Sequence, residues 1–236
     1  MNEQILTLLC AGLREMGLDA ARLGVPKIAQ YLGWMLEKNR VMNLSAIREP
    51  GAAVRLHALD ALGLFGCVDL AGKRVLDVGT GGGIPGAMLA LYEPQARVSM
   101  LDSTAKKLTF VKESCSMLGV AAEFYAGRAE ELAQGSLRES FDVVTARAVA
   151  ALPALCELCL PFVKIGGVFA AYKANAAQEI ADARHAAAML GGRVLQPYVY
   201  AIPGEDAARC IVLIEKIAPA PAAYPRAWAK IKSKPL

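Results

Sequence analysis

The 236-residue chain is poor in histidine, with only His57 and His185. Its one close cysteine pair, Cys156-Glu-Leu-Cys159, has no second pair to complete a four-ligand site. No metal is expected on these counts. The three-residue offset puts both sulfurs on one face of a predicted helix, so core packing is the better reading. Cys10, Cys67, Cys115 and Cys210 also sit in apolar patterns, as reduced core thiols do. No apolar run reaches the length of a membrane span, and Met-Asn-Glu-Gln-Ile-Leu lacks the basic start of a secretion signal. The expectation is a cytoplasmic protein that makes no membrane contact. Core material is not scarce: 55% of residues are hydrophobic, which excludes general disorder.

Acids are missing from one end only. Residues 216–236 hold Lys216, Arg226, Lys230, Lys232 and Lys234 and no carboxylate side chain. The whole chain carries +4, so the remainder sums to −1. A basic tail on a near-neutral body suggests a polyanionic partner; a solvated tail without a role is the plain alternative.

The chain is organised around Arg74-Val-Leu-Asp-Val-Gly-Thr-Gly-Gly-Gly-Ile-Pro-Gly86. Val75, Leu76 and Val78 read as a buried strand. Gly79, Gly81, Gly82 and Gly83 follow, and Pro85 suits the start of a helix. Such a turn lets backbone approach a nucleotide closely. Asp77 narrows the ligand, because a carboxylate here would repel a pyrophosphate and welcome a cation. S-adenosylmethionine carries an ammonium and a sulfonium and no phosphate, so the stretch is a candidate methyl-donor site. The bland alternative is an ordinary strand-to-helix turn. A nicotinamide dehydrogenase is the rival from another class, but Ile84 stands where Gly-x-Gly-x-x-Gly needs its third glycine.

Residues 1–70 read as helices, at 2–16, from Pro26 to about 39–43, and from Glu49-Pro50 to about Phe65. The third bears Arg55, His57 and Asp60, whose offsets spread them round the helix; spacing alone makes His57 structural. From residue 73 strands and helices alternate. Strands are predicted at 74–78, 97–101, 121–126, 141–145, 168–172, 193–201 and 210–215, with Gly166-Gly167 as a turn before the fifth. The pattern is an α/β fold, a mostly parallel seven-stranded sheet with helices on both faces and an antiparallel edge. It divides into a helical extension (1–70), a nucleotide-binding domain (71–217) and a basic tail (218–236).

Ligands in open α/β sheets sit at the C-terminal strand ends. Those ends offer Asp77 and Gly79–Gly83, then Asp102, Ala129-Glu130, Arg147 and Lys173. Asp102 lies near the distance at which an acid reaches ribose hydroxyls.

Further blocks make the pattern specific: Asn39-Arg-Val-Met-Asn-Leu-Ser-Ala-Ile-Arg48, His57-Ala-Leu-Asp60, Leu101-Asp-Ser103, Arg128-Ala-Glu130, Phe141-Asp-Val-Val-Thr-Ala-Arg-Ala148, and a tail beginning Tyr224-Pro-Arg226. The glycine turn resembles the donor motif of class I (Rossmann-like) methyltransferases. Together the blocks resemble the RsmG (GidB) family of small-subunit ribosomal RNA guanine-N7 methyltransferases over nearly the whole chain. One departure is Ala227-Trp228-Ala229, where many relatives carry a Lys-Ala-Gly-type segment.

The resemblance implies S-adenosylmethionine as cofactor and 16S ribosomal RNA or the small ribosomal subunit as partner, acted on by a monomer. It makes Gly79, Ile84, Ala129 and Glu130 donor contacts and sets Arg147 beside the donor, facing the RNA; Asp102 joins the donor contacts by its spacing, at the ribose. Lys173, Arg226, Lys230, Lys232 and Lys234 join Arg147 as expected RNA contacts. Guanine N7 carries no proton, so methylation is a direct displacement that needs no general base. Thr145-Ala-Arg-Ala148 also lacks the cysteine nucleophile of pyrimidine C5 methylation and the polar-Pro-Pro-aromatic turn of amino-group methylation. No catalytic residue is assigned. The alternatives are a methyltransferase acting on a small molecule or protein, and a non-catalytic RNA-binding module. A truncation at Ala218 is the cut that should separate RNA from non-RNA acceptors.

Overall fold

The computed structural model describes residues 2–174 and 176–236. Two helices open the chain, α1 (Asn2–Glu15) and α2 (Val25–Lys38). A third helical stretch starts at α3 (Pro50–Ala53), where the Glu49 carboxylate accepts from the amides of Gly51 and Ala52. It continues as a π-helical turn over Val54–Leu59, then α4 (Asp60–Leu62) and a 3₁₀ turn over Gly63–Gly66. Then come β1 (Arg74–Val78), α5 (Gly86–Tyr92), β2 (Arg97–Asp102), α6 (Ala105–Met117), β3 (Glu123–Ala126) and α7 (Ala129–Leu132). The second half holds β4 (Phe141–Arg147), α8 (Leu152–Cys159), β5 (Val163–Lys173) and α9 (Ala177–Met189). It closes with β6 (Gly192–Val194), β7 (Tyr198–Tyr200), β8 (Arg209–Lys216) and α10 (Trp228–Ser233).

The strand order is β3-β2-β1-β4-β5-β8-β6, with β7 also pairing β8. Strands β1 to β5 are parallel, and β8 runs antiparallel to β5. The order in which successive strands are added reverses between β1 and β4, so the crevice for a ligand opens at their C-terminal ends.

The sheet has eight strands rather than seven. Val194 pairs with Ile214 and Tyr198 with Ile211, so β6 and β7 carry one extra residue between them relative to β8. Pro197 sits in that bulge, where its missing N–H breaks no ladder bond. Gly166-Gly167 is likewise inside β5 rather than before it, at a register shift against β4. A Cβ on Gly167 would lie 2.6 Å from the Asp142 carbonyl, so glycine lets the two strands close there.

Period-2 alternation in β1 sends Val75 to one face of the sheet and Leu76 and Val78 to the other. The first face packs against α1, α2 and the third helical stretch through Ile5, Leu9, Leu32 and Leu59. The helical extension therefore shares the sheet's core. The other face packs on α8 and α9, and the tail adds Ile231, fully buried. Cys156 and Cys159 are both buried in α8, and burial lifts the Cys156 thiol to about 12.

Candidate active site

The glycine turn closes back on the sheet. The amides of Gly79 and Thr80 both donate to the Leu101 carbonyl, at 2.8 and 3.0 Å. Gly79 has φ +74°, and a Cβ there would meet Val149 Cγ2 at 2.5 Å. Glycine is thus required both by the backbone and by the space. Asp77 is fully buried and does not face this space. Its Oδ2 accepts from the Gly86 amide at 2.8 Å and its Oδ1 from the Thr145 hydroxyl at 3.0 Å. Burial raises its pKa against those stabilising bonds. Asp77 ties the start of α5 to β4, so its part in the site is to hold the turn.

A cleft of about 190 Å³ opens beside the turn. Its lining comes from the ends of β1 and β2 (Val78, Gly79, Leu101, Ser103), the β3–α7 junction (Gly127 to Glu130), Val149, Leu158 and Trp228. Gly79, Ala129 and Glu130 thus stand together. Glu130 Oε1 accepts from Arg128 Nε at 2.9 Å. Asp102 is buried and absent from that lining, holding the Gly81 amide with Oδ2 and the Thr104 amide with Oδ1. Ile84 is buried in the core behind the turn and is absent from the cleft lining.

A second cavity of about 380 Å³ lies across the segment Arg147-Ala148-Val149. Arg147 and Ala148 line it, with Ile47, Leu56, His57, Asp60, Tyr172, Lys173, Ala174 and Arg209. Arg147 Nη1 donates to the Leu56 carbonyl at 2.6 Å and to Asp60 Oδ2 at 2.8 Å. Its Nη2 lies 3.2 Å from His57 Nδ1. A guanidinium can only donate, so Nδ1 accepts and the imidazole proton is on Nε2, toward the Ser45 hydroxyl at 2.9 Å. Burial, reinforced by the Arg147 charge, lowers His57 to about 4, and the ring is neutral. Asp60 Oδ1 accepts from the Tyr200 hydroxyl at 2.7 Å.

Of the three helix residues, Arg55 turns away to Glu205, while His57 and Asp60, three apart and therefore neighbours on the helix surface, both reach Arg147. The Asn39–Arg48 block serves the same cavity. Asn39, 3% exposed, accepts from the Leu44 and Ser45 amides and donates to the carbonyls of Ser45 and Ile47. That wrapping brings Ser45 to His57 and Ile47 to the cavity wall.

The expected RNA contacts are dispersed. Lys173 lines the second cavity but donates to Glu179 and the Ala150 carbonyl. Arg226 is held by the fully buried Glu157, through its amide and Nε to Oε1 (both 2.8 Å) and Nη2 to Oε2 (2.6 Å). A phosphate would have to displace that pair, so the geometry gives Arg226 a fastening role in place of the expected RNA contact. Lys230, Lys232 and Lys234 are exposed on and after α10. Truncation at Ala218 would also strip Glu157 of its partner, at about 3–5 kcal/mol, and remove Trp228 from the cleft. It therefore cannot isolate an RNA-binding role for the tail.

The family described as rRNA small subunit methyltransferase G matches residues 25–202. A ribosomal RNA small subunit methyltransferase G from Lachnoclostridium phytofermentans is 37% identical over 95% of this chain and 95% of its own length. One from Deinococcus radiodurans is 40% identical over 93% of this chain and 88% of its own. Among solved structures, a methyltransferase from Pyrococcus furiosus shares the fold, with TM-score 0.56 and 14% identity over 80% of this chain and 98% of that one. Among the described residues, no helix is long and apolar enough to cross a membrane.

Proposed function

The chain belongs to the ribosomal RNA small subunit methyltransferase G family, and on that footing we propose that it methylates N7 of a guanine in 16S ribosomal RNA from S-adenosylmethionine. One observation carries the reading: the three-residue segment Arg147–Val149 is the wall between two cavities of different chemistry. The cleft by Gly79 fits an adenosine, with apolar faces from Leu101 and Leu158 and polar groups from Ser103 and Glu130 at its edge. The cavity by Arg147 fits the acceptor base.

The bound donor supplies an electrophilic methyl group on a sulfonium. The rest falls to this chain's own residues. The in-plane lone pair of guanine N7 attacks without losing a proton, so orientation matters more than basicity. The neutral His57 and the paired Asp60 are therefore not required as bases. Instead they fix the Arg147 guanidinium, which has three of its five N–H donors engaged. The other two remain for the acceptor's oxygens. Arg209 Nε is buried on the same cavity with no partner among the described residues, a second donor waiting for an acceptor-rich ligand. Lys230, Lys232 and Lys234 supply cations for the RNA backbone.

Transfer of tritiated methyl from the donor to ribosomal RNA, followed by nucleoside mapping, tests the reading. Label is expected in N7-methylguanine, and label confined to any other nucleoside would sink it.

A further inference from the structure

We propose that Trp228 forms the outer wall of the donor site and stacks on the adenine ring, so that the cleft is complete only with the C-terminal segment in place. This rests on the reading of that cleft as the methyl-donor site.

Trp228 lines the cleft with Gly79 and Leu101, although about 150 residues of chain separate it from the glycine turn. Its ring packs under the Arg128 guanidinium, 5.4 Å from the centroid. Arg128 is in turn held by Glu130, and both belong to the cleft lining. The indole is thus joined to the β3–α7 junction, packs in part against the buried cluster that holds Leu158 and Ile231, and lines the cleft with its remaining surface. The other large apolar side chains of the lining are aliphatic: Val78, Leu101, Leu158 and Val149. Trp228 is the one aromatic surface in the lining. Stacking on a purine is favourable where an aromatic side chain can offer its face.

The segment is also tied down before any ligand arrives. Arg138 Nη1 donates to the Tyr224 carbonyl at 2.9 Å and Nη2 to the Ala220 carbonyl at 2.8 Å. Gln134 Nε2 donates to the Pro225 carbonyl at 3.0 Å. Arg226 locks onto Glu157, and Ile231 is fully buried under α10. These fastenings come from the chain after α7 and from α8, the elements that border the cleft. They hold Trp228 in position, so little conformational freedom is left to lose on binding. The basic side chains of α10 extend from the same helix, so one short element serves both the donor and the RNA backbone.

The test uses the full chain and S-adenosylhomocysteine as probe. The chain has two tryptophans, Trp34 in α2 and Trp228. In a Trp34→Phe protein all tryptophan emission comes from Trp228, and saturating probe should quench or shift it. By calorimetry, Trp228→Leu should weaken binding about tenfold, the fold-change for a lost interaction of about 1.4 kcal/mol, while Trp228→Phe stays within about threefold of wild type. Leucine keeps apolar contact with the tail, so a merely structural tryptophan would leave binding unchanged in both variants. Unchanged emission at saturation, or a Trp228→Leu protein that binds like wild type, overturns the proposal. A wild-type chain that binds no probe overturns the donor reading beneath it.

Discussion

The cleft beside Gly79 combines glycine backbone and apolar side chains with one internally paired couple, Arg128 and Glu130, whereas the cavity beside Arg147 gathers four charged side chains and the His57 imidazole. The first is lined by glycine, leucine, valine and an indole, with Ser103 and the Arg128–Glu130 pair. The second is lined by two arginines, a lysine, a carboxylate and a neutral imidazole. The two are separated only by Arg147-Ala148-Val149. Ala148 takes φ +56°, a left-handed conformation that costs an alanine about 1–2 kcal/mol. That kink turns Arg147 to one side and Val149 to the other. On the proposed reading the difference separates two tasks: one side grips a ligand by shape, and the other orients one by fixed donors.

The sharpest way to break the comparison is to remove the charge. Arg147→Ala should lower kcat/KM for RNA about 100-fold, in the range for loss of a preorganised donor. Affinity for S-adenosylhomocysteine should stay within about threefold, because Arg147 does not line that cleft. Single-turnover kinetics beside calorimetry checks the split. Equal losses in both would merge the two cavities into one site.

The converse variant attacks shape. In Gly79→Ala the new Cβ would lie 2.5 Å from Val149 Cγ2, at a φ of +74° that alanine resists. Strain of about 1–2 kcal/mol plus displacement of Val149 should weaken S-adenosylhomocysteine about 30-fold. The fold should survive, since Gly79 is only half-buried and the side chain it would displace, Val149, is exposed, and circular dichroism checks that point. RNA affinity measured without donor should be little changed.

The two sides were also unequally legible. The glycine turn, Ala129-Glu130 and the parallel strands are local signals: a strand pattern, a glycine cluster and residues next to one another in the chain. Their placement together follows from the rule for strand ends. The charged cavity gathers residues 47, 56–60, 147, 172–174 and 209, and no local period links them. His57 and Asp60 are neighbours three apart on their helix, but that spacing does not show that Arg147 closes on both from far along the chain. Asp77 was legible as important but not in its role, because a carboxylate that staples two elements and one that faces a cation look alike in sequence. Trp228 and Arg226 depend on how the tail folds back. A run of lysines signals charge, yet it does not show that Glu157 is buried and needs a partner.

A smaller effect tests whether the charged side is organised around a neutral imidazole. In the folded chain His57 takes up a second ring proton only near about 4, against 6.5 for an unperturbed histidine. Between those values the unfolded chain binds more protons than the native one, so stability must fall as pH is lowered through that window. It should level off below about 4, where both states are charged. The full span corresponds to about 3 kcal/mol at 1.36 kcal/mol per unit, an upper value because neighbouring groups relax. Protonation would place a hydrogen on Nδ1, directly against Arg147 Nη2 at 3.2 Å, so the cavity must open to accept it. His57→Gln keeps a side chain that can accept from Arg147 and removes the titration. Urea midpoints between pH about 4 and about 7 should therefore drop more steeply for wild type than for His57→Gln, with the two curves closest at the acid end. Parallel curves would mean that Arg147 is held without regard to the charge on His57, and the contrast between a cleft of shape and a cavity of fixed charge would rest on Asp60 and the Leu56 carbonyl alone.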